Sequence, residues 1–288
     1  LPWSGVVGEI NIRVSDSAGF CWGVERALAM VHSAAAEATG PINTLGPLIH
    51  NPGVIAELKS QGIGMITTAE EAVSGTVILR SHGVPREIKE QLENSGLNVL
   101  DATCRFVELA QNRAAQLQEL GYFVLILGEK DHPEVLALRS YAGSNSLVVE
   151  DPEDLPEKFP STRVGVVVQT TQSRRRLSNL VAYLAPRTRE MLVYNTICGA
   201  SEERQASAMD IADKVDVVIV VGGRDSANTR RLAEICSTAQ PRTYHIETAN
   251  EIEAGWFAGA RTVGITAGAS TPPEQIEAVA NRIREVDP

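Results

Sequence analysis

Two kinds of hydrophobic pattern alternate along the chain. Short apolar runs rich in β-branched residues predict strands at 10–14, 76–79, 123–127, 163–168, 215–221 and 262–266. Segments in which apolar residues recur with a helical period predict helices at 24–36, 52–60, 86–94, 107–120, 172–184, 203–214, 227–238 and 273–286. Strands and helices that alternate in this way indicate an α/β fold built on mostly parallel sheets.

The same pattern divides the chain into three loosely similar thirds. Each third contains strand, loop and helix units, and a lone cysteine falls near each junction. We therefore predict three α/β lobes at 1–104, 105–197 and 198–288. The run VVIVV at 217–221 is typical of a strand covered on both faces of its sheet. No Pro/Ser linker marks the boundaries, which predicts lobes packed around a common centre.

Three cysteines lie in short polar segments that contain glycine or small residues. Cys21 is in AGFCWGVERA, Cys104 in DATCRFVELA and Cys198 in NTICGASEERQ, too far apart for a zinc knuckle or a CxxC motif. Three thiolates from three parts of a chain predict a shared centre, for which we favour an iron–sulfur cluster. Such clusters usually have four cysteine ligands, so three would leave one iron open for a substrate. Cys236, in the helical segment LAEICSTA, is interpreted as a buried apolar residue.

Size and charge narrow the classes of function. The chain has 288 residues, 43% hydrophobic and 22% charged, as expected for a globular protein. A net charge of −10 without a dense Lys/Arg tract argues against nucleic acid as a partner, although a local pocket can bind an anionic small molecule. We find neither an apolar run long enough to span a membrane nor a secretory signal. Four cysteines are too few for a disulfide scaffold here, so we expect the cytoplasm or an equivalent reducing compartment.

Three histidines and a glutamate lie in polar loops after predicted strands. His50 is in GPLIHNP, His82 in RSHGVP, and His132 and Glu134 in GEKDHPEV, which we interpret as a loop over 128–135. Imidazole groups suit a phosphate, and three in similar loops weaken the alternative that each is only structural. Glu134 could be a proton donor held near neutral pKa beside an open metal site, or it could cap the next helix.

Three further turns contain small polar residues and lead into helices. They are QTTQ at 169–172, GGRDSANT at 222–229 and TAGASTP at 266–272. Backbone amides and hydroxyls at a helix start bind anions, and Ser226 and Asn228 would face such a ligand, although each could simply be a cap. The sequence has no GxxxxGK[ST] and no GxGxxG that opens a helix, so these groups favour a small diphosphate over a nucleotide.

Together, these segments resemble the 4-hydroxy-3-methylbut-2-enyl diphosphate reductase family, which catalyses the last step of the methylerythritol phosphate route to isoprenoids. The resemblance covers nearly the whole chain in matching order, through AGFCWGVERA, LGPLIHNP, RSHGV, DATC, HPEV, QTT, NTIC with RQ, VVGGRDSANT and TAGASTP. It implies three α/β lobes arranged as a cloverleaf around a central 4Fe–4S cluster.

The resemblance also implies a role for each matched residue. The cluster ligands would be Cys21, Cys104 and Cys198. The diphosphate would be held by His50, His82, His132, Ser226, Asn228 and Ser270. Glu134 would deliver a proton, with Thr170 near the substrate alcohol and His132 also in the catalytic group. Two electrons, supplied singly by ferredoxin or flavodoxin, and two protons would expel water and yield isopentenyl and dimethylallyl diphosphates.

The sequence departs from the family pattern after Cys104. Arg105, Phe106, Val107 and Glu108 stand where Pro-Leu-Val-Thr is usual, and the added cation could alter the cluster potential or the docking of the electron donor. A diverged iron–sulfur paralogue that reduces another allylic or diphosphate compound is therefore an alternative. A non-enzymatic iron–sulfur sensor is disfavoured, because it needs neither converging phosphate-binding residues nor Glu134.

Overall fold

The structure, a computed structural model, describes residues 10–156 and 161–286. Its strands are β1 Asn11–Val14, β2 Ile42–Leu45, β3 Gly64–Ile66, β4 Thr76–Leu79, β5 Asn98–Asp101, β6 Phe123–Leu127, β7 Ser146–Val149, β8 Arg163–Val168, β9 Glu190–Val193, β10 Val217–Val221, β11 Thr243–Ile246 and β12 Thr262–Ala267. Its α-helices are α1 Trp22–Glu37, α2 Pro52–Ser60, α3 Arg86–Glu93, α4 Arg105–Glu119, α5 Pro133–Ala142, α6 Arg174–Leu184, α7 Gly199–Ala212, α8 Ala227–Ala239 and α9 Pro273–Val286. Residues 1–9, to which the prediction of no secretory signal applies, lie outside the described residues.

The strands form three four-stranded sheets of the same topology. The strand orders are β3-β2-β4-β5, β7-β6-β8-β9 and β11-β10-β12-β1, and every pairing is parallel. Helices connect the parallel strands and cover the sheets, as this type of pairing requires. The prediction of three α/β lobes with mostly parallel sheets is confirmed.

The first strand completes the last sheet. β1 pairs with β12, with Asn11 opposite Thr262, and so occupies the place that β5 and β9 have in the other two sheets. Ile10 and Ile12 pack into the hydrophobic core of this last sheet, which gives the strand its apolar contacts there. In this respect the sheets depart from the predicted division at 1–104, 105–197 and 198–288, because strand 10–14 belongs with the last lobe. The two boundaries after it stay a prediction.

The chain also divides into two compact units. One unit, Trp22–Gly199, contains the sheets of β2–β5 and β6–β9. The other consists of the described parts of Leu1–Cys21 and Ala200–Pro288 and contains the third sheet. Among the described helices, none has both the length and the apolar character needed to cross a membrane.

The predicted strands are mostly those in the interior of a sheet. Besides β1, they are β4, β6, β8, β10 and β12, which are buried on both faces and read as apolar runs. The sequence did not predict β3, β5, β7, β9 and β11, which are edge strands with fewer buried residues. It also missed β2, an interior strand whose sequence INTL is interrupted by Asn43 and Thr44.

Close packing between sheet and helix requires glycine at one position of β8. A Cβ on Gly165 would lie 2.6 Å from Cδ2 of Leu117 in α4, and Leu117 is fully buried. In the third sheet, a Cβ on Gly264 of β12 would lie 3.0 Å from Cγ1 of Ile211 in α7. The two lobes therefore use the same device to bring a helix close to a central strand.

We expect Gly165→Ala to lower the free energy of unfolding by about 1–3 kcal/mol, because the added methyl group overpacks a filled core. The matched control is Gly255→Ala, at an exposed position with no other atoms within 4 Å of the new Cβ. Urea unfolding of both variants measures the difference. Equal stabilities would show that the contact with Leu117 relaxes freely.

Candidate functional site

Each of the three predicted cysteine ligands occupies the same place in its lobe. Cys21 follows β1, Cys104 follows β5 and Cys198 follows β9, and in each case the next residue begins a helix. None of the three cysteines forms a disulfide within the described part of the chain, and all three are half-buried. The exposed N–H groups and partial positive charge at a helix start stabilise negative charge on a sulfur ligand. The sequence therefore supplies three equivalent thiols, each suited to metal binding.

A repeated backbone hydrogen bond fixes these cysteines. In every lobe, the cysteine N–H donates to the carbonyl oxygen of the second residue beyond the third strand of the sheet. The three bonds are Cys21 to Ala269 at 3.2 Å, Cys104 to Ser81 at 3.0 Å and Cys198 to Thr170 at 3.0 Å. The bond ties each cysteine to a turn that carries residues predicted to bind substrate.

The fourth cysteine has a different environment. Cys236 lies in α8, is fully buried and contacts the carbonyl oxygen of Ala208 at 3.6 Å. Burial raises the pKa of its thiol to about 12, so it remains protonated and is a poor metal ligand. Its prediction as a buried apolar residue is confirmed.

The three histidines of the predicted loops lie together. Their ring centroids are 4.3 Å apart for His50 and His82, 5.3 Å for His50 and His132, and 5.5 Å for His82 and His132. One ring nitrogen of each lies within 4.8 Å of the others. Burial lowers the pKa of His82 well below its ordinary value, and repulsion from His50, His132 and Arg80 lowers it further. By spacing alone, the triad could hold either an anion or a metal ion.

Hydrogen bonds set the orientation of two histidine loops. His132 caps α5, where its Nδ1 accepts a hydrogen bond from the Glu134 N–H at 3.2 Å. In the neutral ring the proton must then be on Nε2. Asn51, next to His50, caps α2 and accepts from the N–H groups of Gly53 at 3.0 Å and Val54 at 3.2 Å.

Glu134 is buried and bonded to Thr170. Its Oε1 accepts from the Thr170 N–H at 2.6 Å, and its Oε2 accepts from the Thr170 hydroxyl at 2.9 Å. Burial raises the pKa of this carboxyl to about 7, although the two hydrogen bonds from Thr170 oppose the rise. The residue lies in the first turn of α5, so the predicted loop over 128–135 was wrong at its end. Pro133 at the first helical position was an available signal for this helix.

A second polar group belongs to the other compact unit. Ser226 caps α8 and accepts from the Thr229 N–H at 3.3 Å, while Ser270 lies buried in the turn after β12. Asn228 is 4% exposed, and neither atom of its amide has a hydrogen-bond partner among the described residues. Because buried polar groups normally have partners, this amide points to a polar ligand. A Cβ on Gly268 would lie 2.0 Å from the Thr229 hydroxyl oxygen, so glycine is required for this close approach.

The structure adds polar residues that the sequence did not single out. Gln169 is fully buried and accepts from the Glu129 N–H at 3.0 Å, while its Nε2 has no partner among the described residues. Arg80 donates from Nε to the Gly83 carbonyl at 3.1 Å and repels positive charge on His82. Both residues stand inside quoted segments, QTT and RSHGV, so their position beside a candidate residue was the available signal.

Comparison with known proteins identifies the family. The family model described as LytB protein matches residues 12–284. The chain belongs to the LytB protein family. Relatives named 4-hydroxy-3-methylbut-2-enyl diphosphate reductase include one from Aquifex aeolicus, 44% identical over 96% of this chain and 97% of its own length. Another, from Geobacter sulfurreducens, is 47% identical over 96% of this chain and 98% of its own length.

Solved structures support the assignment to the LytB family. The structure of (E)-4-hydroxy-3-methyl-but-2-enyl diphosphate reductase, described as the terminal enzyme of the non-mevalonate pathway, has a TM-score of 0.70 at 44% identity, covering 96% of this chain and 99% of that one. The structure of the E-1-hydroxy-2-methyl-but-2-enyl-4-diphosphate reductase from Plasmodium falciparum has a TM-score of 0.90 at 24% identity, covering 95% and 87%. At that identity the second likeness shows the fold alone.

The raised pKa of Glu134 predicts a pH-dependent stability. Its folded pKa of about 7 exceeds the ordinary value of 4.5, so its stabilising contribution is present below pH 4.5 and is lost as the pH rises to about 7. Gln stays neutral throughout this range. We therefore expect the stability of Glu134→Gln relative to the unsubstituted protein to rise by up to about 3 kcal/mol between pH 4.5 and pH 8.

Urea unfolding of the metal-free protein at both pH values measures this change. Glu87→Gln, at an exposed position in the first turn of α3, is the matched control and should show no comparable pH dependence. A constant stability difference for Glu134→Gln would mean that the buried carboxyl ionises normally.

Proposed function

We propose that the chain catalyses the reductive dehydroxylation of 4-hydroxy-3-methylbut-2-enyl diphosphate to isopentenyl diphosphate and dimethylallyl diphosphate. Two electrons and two protons enter, the C–O bond of the alcohol breaks, and water leaves. Relatives 44–47% identical over nearly the whole chain have this substrate in their name. The observation that carries the mechanism is the buried, protonatable Glu134. Its carboxyl is hydrogen-bonded to Thr170, and it lies two positions after His132 of the histidine triad.

As a member of this family, the chain is an iron–sulfur oxidoreductase. We infer that the cluster is of the 4Fe–4S type and that its ligands are Cys21, Cys104 and Cys198. What supports these ligands is that each is a half-buried cysteine, outside any described disulfide, at a helix start, whereas Cys236 is buried and protonated. When bound, such a cluster supplies single electrons and a Lewis-acidic iron.

The histidine triad would bind the diphosphate. Burial is the main cause that lowers the pKa of His82, and the Arg80 guanidinium also repels positive charge there, which favours an anion over a metal cation. In a neutral ring His132 carries its proton on Nε2, because its Nδ1 accepts a hydrogen bond, and the Nδ1 of His82 has no partner among the described residues. Ser226, Asn228 and Ser270 would supply further donors, as the unpartnered amide of Asn228 suggests. These contacts, remote from the reacting carbon, position the alcohol.

Glu134 and Thr170 would deliver a proton to the leaving group. Hydroxide is a poor leaving group, so the alcohol oxygen must be protonated as the C–O bond breaks. Near pH 7 the carboxyl of Glu134 is protonated about half of the time, given its pKa of about 7. Its Oε1 is engaged by the Thr170 N–H, which leaves Oε2 to hold the proton, 2.9 Å from the Thr170 hydroxyl. That hydroxyl can pass a proton to the substrate oxygen and take one from Oε2.

The electron donor would be a separate one-electron carrier, ferredoxin or flavodoxin, because the sequence has no flavin or nicotinamide motif. The departure from the family pattern at 105–108, directly after Cys104, bears on the docking of this electron donor more than on the substrate. Arg105 is exposed, and its guanidinium lies 4.6 Å from the ring centroid of Trp22 and 4.8 Å from that of Phe106. Trp22 is itself 49% exposed. The cytoplasmic location and the lack of nucleic-acid and membrane partners stay predictions.

With the cluster reconstituted anaerobically, we expect Glu134→Gln to lower kcat by about 100-fold or more, because the amide cannot donate the proton. Turnover of 4-hydroxy-3-methylbut-2-enyl diphosphate with a dithionite-reduced dye measures this, and Glu87→Gln is the control. Retention of full activity by Glu134→Gln would rule out the proposed proton donor. A fully loaded, unsubstituted protein without turnover would instead favour a paralogue with another substrate.

Replacing His50 by Ala should raise KM about 10-fold or more, because a hydrogen bond to a charged phosphate is lost. The matched control is His32→Ala, an exposed histidine of α1. Steady-state kinetics on the loaded enzymes provide the measurement. An unchanged KM would remove His50 from the diphosphate site.

Iron and sulfide analysis tests the cysteine ligands. Cys104→Ser should lose most of the bound iron, whereas Cys236→Ser should retain it, because Cys236 is fully buried within α8 and its thiol stays protonated. Equal iron content in the two variants would overturn the assignment.

A further inference from the structure

The loop that contains Cys104 is held by an arginine from the helix after Cys21. Arg26, in the second turn of α1, donates from Nη1 to the Thr103 carbonyl at 3.0 Å and from Nη2 to the Asp101 carbonyl at 3.4 Å. Thr103 directly precedes Cys104, and its N–H donates to the Asp101 carboxylate at 2.8 Å. The guanidinium therefore restrains the backbone immediately before the cysteine.

The loop that contains Cys21 is held in the same way by the helix after Cys198. Arg204 in α7 is 5% exposed, and its Nη2 donates to the Gly19 carbonyl at 2.7 Å. Gly19 lies two residues before Cys21 and has a φ of 103°, a left-handed conformation that favours glycine. A second bond from this helix, between the hydroxyls of Ser207 and Ser15 at 2.7 Å, restrains the same loop.

The segment that leads to Cys198 is held by the helix after Cys104. Arg113 in α4 places its guanidinium 4.6 Å from the ring centroid of Tyr194, the residue directly after β9. The Tyr194 hydroxyl donates to Gln116 Oε1 at 3.1 Å, and Arg113 Nη1 donates to the same oxygen at 2.7 Å. Here the restraint acts through a side chain, four residues before the cysteine.

These contacts form one cyclic pattern. The helix after Cys21 holds the loop of Cys104, the helix after Cys104 holds the segment of Cys198, and the helix after Cys198 holds the loop of Cys21. We propose that Arg26, Arg113 and Arg204 are positioning residues, each of which holds one cysteine loop in the conformation required for metal binding. The proposal rests on the proposed function only in treating the three cysteines as ligands.

Cysteine-selective labelling of the reduced, metal-free protein tests the pairing. A maleimide probe labels the thiols, and mass spectrometry identifies each labelled cysteine. Arg26→Met should accelerate labelling of Cys104 about 10-fold, because a charged hydrogen bond to its loop is lost. For the same reason, Arg204→Met should accelerate labelling of Cys21 by a similar factor. Arg113→Met should accelerate labelling of Cys198 about threefold, as expected for a cation–π contact. Each variant is the control for the other two.

Cys236 reports unfolding within the same experiment, because it is fully buried and its thiol stays protonated. If Cys236 of a methionine variant is also labelled, that variant has unfolded, and the lysine variant of the same arginine is tested in its place. Lysine keeps the charge and the apolar stem of arginine but lacks the planar fork of the guanidinium. It should accelerate the same single cysteine by a smaller factor. Unchanged rates, or equal acceleration of all three cysteines with Cys236 protected, would overturn the proposal.

Iron release from the reconstituted protein to a chelator provides a second readout. Each variant should release iron faster than the unsubstituted protein, by about threefold to 10-fold. A rate equal to that of the unsubstituted protein would contradict the positioning role. Selective labelling in a protein that fails to turn over the substrate would reject the proposed function and leave this inference standing.

Discussion

The position of each cysteine depends on one backbone hydrogen bond that recurs in all three lobes. It joins the N–H of the cysteine after the fourth strand to a carbonyl just beyond the third strand. At each bonded cysteine the chain turns and the next residue starts a helix, so the cysteine lies at a helix N-terminus, where backbone N–H groups lack intrahelical partners. Because the sheets share one topology, a single local constraint places three thiols equivalently. In the third lobe the fourth strand is β1, which comes from the first residues described and pairs with β12 near the other end of the chain.

Equivalent positions on this repeated frame carry different chemistry. In each lobe, a helix begins after the first of the central strands with a capping side chain, and the residue two positions later lies in the first turn. The caps are Asn51, His132 and Ser226, and the residues two positions later are Gly53, Glu134 and Asn228. The proposed proton donor, a proposed diphosphate ligand and a glycine therefore occupy the same place in the three lobes. Side-chain differences on a constant backbone therefore give three similar lobes different chemical groups at the same position.

The sequence predicted buried strands more accurately than exposed ones. β6 and β10 are covered on both faces and have uninterrupted apolar sequences, so the pattern predicted them at or near their full length. Edge strands such as β5, NVLD, meet solvent and carry no such signal. Helix α5 was missed because His132 and Glu134 were interpreted as loop residues, whereas the histidine caps the helix and the glutamate belongs to its first turn. The identities of the candidate site residues came from motif order, which does not depend on where an element starts.

By itself, the sequence determined the α/β class, the buried central strands and which polar residues accompany the strand ends, because these follow from local periodicity and composition. Only the tertiary structure decided which strands are neighbours, including the pairing of β1 with β12, because parallel pairing joins segments far apart in the chain. It also decided the chemistry of Glu134. Packing removes this carboxyl from water and so raises its pKa to about 7, although the hydrogen bonds from Thr170 oppose the rise, and no local pattern encodes that burial.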